Sequence, residues 1–102
     1  MSRPRKYWFH MVRSMVCRYD LIKKGESEQE KKFAAAIEKC LGEITGLPGG
    51  EDRVKAVEMV LIRHTHTQEG AAMVLHYSPT TIKRWTVDFV YRVGSNVGFS
   101  NL

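Results

Sequence analysis

The stretch Ala71–Trp85, AAMVLHYSPTTIKRW, decides the reading of this chain. Small and apolar residues run into a Ser-Pro break, after which two threonines, an isoleucine, Lys-Arg and a tryptophan start a new apolar period. Upstream, Thr67 is placed to cap a short helix from Gln68 to about Leu75, its side-chain oxygen accepting from an early backbone N–H. Glu69 then suits the positive end of that helix. Ala71 and Ala72 are small enough for a second helix to cross close by, and Leu75 is expected in the core beneath both. His76 and Tyr77 make the turn. Ser78 caps the following helix, and Pro79 takes its first position, where a fixed φ fits and the missing N–H costs nothing.

On that last helix Ile82, Trp85, Phe89 and Val93 form one apolar stripe, which leaves Thr80, Thr81, Lys83 and Arg84 on the exposed side of its first turns. This is the pattern of a helix-turn-helix, in which the early positions of the second helix reach base edges and phosphates in the major groove. Ser78, Thr80, Thr81, Lys83 and Arg84 are therefore the candidate DNA-binding residues. Arg63, Thr67 and Arg92 are weaker candidates for phosphate contacts. The bland alternative for Lys83 and Arg84 is a solvated face. For Trp85 the weighting reverses, because its register with Ile82 and Phe89 favours core packing over stacking on a base.

Working outward, Tyr7, Trp8, Met11, Val12, Met15, Val16 and Tyr19 recur at helical spacing, which predicts one helix from about Pro4 to Lys24, ended by Gly25. Arg5, Lys6, Arg13 and Lys24 fall mostly off that stripe, as a phosphate-touching arm or as an ordinary solvated face. Ser27 and Glu30 match a capping box, and Phe33, Ala36, Ile37, Cys40, Leu41 and Ile44 predict a helix over about 28 to 45. GLPGG, residues 46–50, breaks it. Glu51 and Asp52 suit the start of a third helix to about Arg63, with Val54, Val57, Val60 and Leu61 on its buried face. The fold expected is all-α, with about five helices and a C-terminal helix-turn-helix, in which 1–45 forms an N-terminal helical pair and 51–97 the helix-turn-helix region.

The 102 residues make one small domain with room for little more than one core. The net charge of +5 favours an acidic partner. Its distribution says more than its sum: residues 1–24 carry seven Lys or Arg against Asp20 alone, residues 25–58 five against eight acids, and residues 59–102 four against two. A basic start and a mildly basic end enclose an acidic middle, so only selected faces suit a polyanion. No apolar run approaches the roughly 20 residues of a membrane helix, and His10, Arg13 and Arg18 interrupt any secretory signal. Cys17 and Cys40 lie in separate apolar patterns without ligand spacing, as expected of reduced core thiols in a cytoplasmic protein.

No metal site is expected from His64 and His66, since an i,i+2 pair on a helix points to different faces. No Ser-His-Asp spacing, paired carboxylate or glycine-rich phosphate loop can be assembled, so neither an enzyme nor a cofactor is expected.

The helix-turn-helix resembles that of sigma-factor region 4. Ala72, Leu75, Tyr77, Ser78 and Ile82 match its frame in order, and Trp85 falls at the next buried position; His76 stands where the family usually has a turn glycine. Over residues 67–93 specifically, and over the rest of the chain loosely, the sequence is similar to phage regulators of late transcription of the RinA and ArpU type. That resemblance implies a phage or prophage activator that binds double-stranded promoter DNA, in the bacterial cytoplasm, with host RNA polymerase as a further partner and no membrane. A homo-oligomer is compatible with it. The alternatives are a small terminase subunit, which assembles into a ring for DNA packaging, and a protein that binds polymerase or a sigma factor without reading DNA.

Overall fold

Ser27 Oγ accepts the Glu30 N–H at 3.1 Å, and from that cap an 18-residue helix, Glu28–Thr45, runs along the molecule with one apolar face. The structure is a computed structural model and describes residues 6–99. Among the described residues it is all-helical, with six helices and no strand. They are α1 (Phe9–Cys17), α2 (Tyr19–Ile22), α3 (Glu28–Thr45), α4 (Gly50–Val57), α5 (Gln68–Leu75) and α6 (Pro79–Asn96). The Glu30 carboxylate closes the cap of α3 by accepting from the Ser27 hydroxyl at 2.9 Å, rather than by reaching the Ser27 N–H as a capping box would.

The single N-terminal helix expected from the sequence is two. Arg18 leaves helical geometry at φ −103° and ψ 19°, and α2 turns there to bring Ile22 onto the core with α3. The register also differs: Trp8, Phe9, Val12, Met15 and Val16 are buried, whereas Tyr7 is 91% exposed and Met11 40%. Tyr7 precedes the first helical turn, so it is out of phase with the stripe that follows. Pro4 and Arg5, the expected start, lie outside the described residues.

The helix begun by Glu51 also ends differently from its expected form. Gly49, at φ 69°, adopts the left-handed backbone that admits Gly50 close to the Thr45 and Ile44 carbonyls, where a Cβ on Gly50 would collide. α4 then widens into a π turn over Glu58–Ile62. The wider turn frees the Met59 carbonyl, which accepts from both the Thr65 and His66 N–H groups at 3.0 and 3.2 Å and so pins the following loop. Val57 and Leu61 are buried as expected, while Val54 and Val60 are half-buried.

Two apolar clusters organise these elements. In the larger, Trp8, Phe9, Val12 and Val16 of the N-terminal segment meet Phe33, Ile37 and Cys40 of α3 and Phe89, Val90 and Val93 of α6. In the smaller, Ala56 of α4, Ala71 and Ala72 of α5, and Ile82 and Trp85 of α6 pack together. α6 belongs to both. Its N-terminal half seats α5 and α4, and its C-terminal half seats α1 and α3.

Candidate nucleic-acid interface

Side-chain caps fix the starts of both α5 and α6. Thr67 Oγ1 accepts the Gly70 N–H at 3.0 Å, and Ser78 Oγ accepts the Thr81 N–H at 3.2 Å. Between them His76 takes the left-handed conformation, φ 64° and ψ 44°, which lets the Tyr77 N–H reach back to the Ala72 carbonyl at 3.0 Å. A glycine would adopt that backbone without strain; histidine carries it here. Ala71 and Ala72 are fully buried under α6, whereas Leu75 is half-buried.

The turn is also tied to α4. The Tyr77 hydroxyl donates to Asp52 Oδ2 at 2.7 Å, and its ring meets the Trp85 ring edge-on at 4.6 Å between centroids. The Arg53 guanidinium lies 5.4 Å from the centre of the same indole. The hydrogen bond to Asp52 raises the Tyr77 pKa, because it holds the phenolic proton beside a carboxylate. Trp85 is 8% exposed, and Ile82, Phe89 and Val93 are buried with it, so the core stripe has the register expected of it.

That register decides which side chains remain outside. Thr80, Lys83 and Arg84 are exposed on the first turns of α6, and among the described residues neither Lys83 nor Arg84 makes an ion pair. With Val87 and Asp88 they line a shallow depression of about 170 Å³. Ser78 and Thr81 are occupied otherwise: their hydroxyl oxygens lie 3.0 Å apart within the cap, and Thr81 is half-buried. Sequence reasoning missed Asp88 and Val87. Both follow Arg84 and Lys83 at i+4, the spacing that keeps a side chain on one face of a helix.

Lys83 faces two ways. It also lines a deeper concavity, of about 250 Å³, together with His10 and Arg13 of α1 and Gln68 at the start of α5. Buried Leu61 and Val90 form part of its floor. The weaker candidates lie elsewhere. Arg63 is exposed at the end of the π turn, with its Nε 4.0 Å from Glu58 Oε2. The Thr67 hydroxyl is engaged in its cap. Arg92 lines a separate hollow with Asp88, Tyr91 and Ser95, and its charge reaches Cys40 on α3.

Both cysteines are free. Burial pushes the Cys40 thiol up to about 11, against smaller opposing effects of Arg92, Lys39 and a 3.2 Å hydrogen bond from Asn96 Nδ2 to its sulfur. Burial likewise raises Cys17. Among the described residues no three His, Cys, Asp or Glu side chains are grouped to hold a metal ion, and His64 Nε2 instead lies 3.3 Å from the Cys17 carbonyl oxygen. Nor is any helix among them long and apolar enough to cross a membrane. In comparisons with known proteins, no family model, no curated protein and no solved structure matches this chain.

Proposed function

We propose that this chain is a DNA-binding transcription regulator in which α5 and α6 act as a helix-turn-helix and α6 enters the major groove. The observation that carries this reading is the unpaired exposure of Thr80, Lys83 and Arg84 on the first turns of a helix whose start is capped and braced. A side chain that must meet a base edge needs both conditions, a free donor and a backbone that does not move away from it. The resemblance of residues 67–93 to sigma-factor region 4, and to phage regulators of the RinA and ArpU type, favours an activator of phage late genes acting at promoter DNA.

The test is selection of duplex DNA from a random pool, followed by titration of the selected duplex and a scrambled one at several salt concentrations. Arg84→Ala should cost about 1–3 kcal/mol and relax preference at one base position. Wild type that enriches no sequence, or a folded Arg84→Ala variant with unchanged affinity and preference, removes α6 from the role.

A second reading has its own observation. Met73 and Val74, 79% and 54% exposed, put two adjacent apolar side chains on the outer surface of α5, which favours a protein partner such as RNA polymerase. Retention on polymerase without any sequence-dependent DNA binding would select that reading over the first.

A further inference from the structure

We infer that the concavity between α1, α5 and α6 is a seat for one phosphate of the DNA backbone, gripped by Arg13 and Lys83 from helices 70 residues apart in sequence. The inference rests on the reading of α6 as a DNA-binding helix and assigns its two neighbouring cations to different parts of the duplex. Arg84 lines the outer depression alone, whereas Lys83 lines both that depression and the concavity beside α1. Arg84 is left to read bases. Lys83 is drawn back to the strand.

Charge supports the assignment. Arg13 and Lys83 are joined in the lining by three further polar side chains, His10, Gln68 and Thr86, and no carboxylate lines it. The nearest acids along the same elements stay out of the lining: Glu58 faces Arg63 across 4.0 Å, Glu69 is exposed beside Gln68, and Asp88 belongs to the outer depression and the Arg92 hollow. Neither Arg13 nor Lys83 makes an ion pair among the described residues, so both cations are available to an anion. Packing makes the pair durable. Val12 and Val16 of α1 and Val90 of α6 share the larger cluster, which fixes the helix carrying Arg13 against the one carrying Lys83. A seat built this way gives α6 a second point of reference on the duplex, and two points set the helix's angle in the groove where one would leave it free to roll.

The experiment uses the full chain and the duplex it selects from a random pool. Each phosphate across the site is replaced in turn by an uncharged methylphosphonate, and binding is titrated for wild type, Arg13→Gln, Lys83→Gln, the double variant of these two and Arg84→Ala. Arg13→Gln should weaken binding about tenfold at moderate salt, as expected for loss of one charge-assisted hydrogen bond, with unchanged base preference. It should also lower the slope of log affinity against log salt by about one. One methylphosphonate position should weaken wild type and Arg84→Ala most, weaken Arg13→Gln and Lys83→Gln less, since each keeps one of the two cations, and leave the double variant Arg13→Gln/Lys83→Gln unaffected. If wild type binds DNA and folded Arg13→Gln matches it in affinity and salt slope, or if no single position shows that shared loss of sensitivity, the seat is wrong while α6 keeps its role. If wild type binds no duplex at all, both readings fall together.

Discussion

The six-membered ring of Trp8 packs against the backbone of α6 at Gly94, so close that a Cβ on Gly94 would run into the ring carbons Cζ3 and Cη2. Tyr91 meets the same indole edge-on at 5.2 Å, and Phe99 stacks on it at 5.3 Å. Gly94→Ala should therefore destabilise the fold by about 1–3 kcal/mol through overpacking, although alanine is the better helix former. Urea denaturation measures it. A stabilised variant would mean that Trp8 can leave this slot.

Trp85 supports the smaller cluster and, through Tyr77, the turn before α6. Trp85→Ala should cost about 3–5 kcal/mol by leaving a cavity under Ala56 and Ala71. Thermal unfolding followed by circular dichroism checks this. A variant of wild-type stability that had lost DNA binding alone would instead make the indole a contact residue.

Asp88 places a carboxylate on the same face as Lys83 and Arg84; if this face meets DNA as proposed, it repels phosphate and can accept only from a donor such as the cytosine amino group. Asp88→Ala should raise affinity for scrambled duplex and lower the ratio of selected to scrambled binding. Competition titrations at fixed salt read both quantities. An unchanged ratio would put Asp88 outside the interface.

The Tyr19 hydroxyl donates to Glu38 Oε1 at 2.7 Å, and burial, that hydrogen bond and the Glu38 charge raise its pKa to about 12. The folded state thus holds the phenolic proton more tightly than the unfolded chain, whose tyrosines titrate near pH 10. The stabilisation is complete below about pH 10 and fades as pH rises toward 12. Tyrosinate absorbance should show a group titrating near pH 12, and Tyr19→Phe should remove it while leaving Tyr77, which Asp52 also holds above its usual value. A group still titrating near pH 12 in Tyr19→Phe that vanishes in Tyr77→Phe would overturn the assignment.

Much of the helical framework was legible because local chemistry announces it. Ser27 and Ser78 are caps at the positions their sequence context predicts, and Pro79 sets the first turn of α6, so every later residue on that helix has a known face. The N-terminal register was harder to read because Tyr7, Trp8 and Phe9 are all aromatic, and periodicity alone does not say which one starts the buried stripe. The slot at Gly94 chooses Trp8, from more than 80 residues away. The π turn has no local signal either, since Glu58–Ile62 holds no glycine or proline and its effect is to free one carbonyl for a loop beyond it. At the candidate interface, exposure of Thr80, Lys83 and Arg84 followed from the stripe opposite them. The meeting of Lys83 with Arg13 did not, because it depends on how α1 lies across α6.

The division of α6 between two clusters has an evolutionary consequence. Ile82 and Trp85 lock its first half, and Phe89, Val90 and Val93 lock its second, so the helix cannot be re-aimed without disturbing both. A one-residue insertion between Ile82 and Trp85 would rotate Ile82 by about 100° relative to Trp85 and the second lock, so no shift of register re-aims the exposed side chains and leaves the core intact. With α6 as the proposed recognition helix, lineages that acquire new DNA targets are therefore confined to exchanging Thr80, Lys83, Arg84, Val87 and Asp88 in place. Their variation should concentrate at those positions, on an axis that stays still.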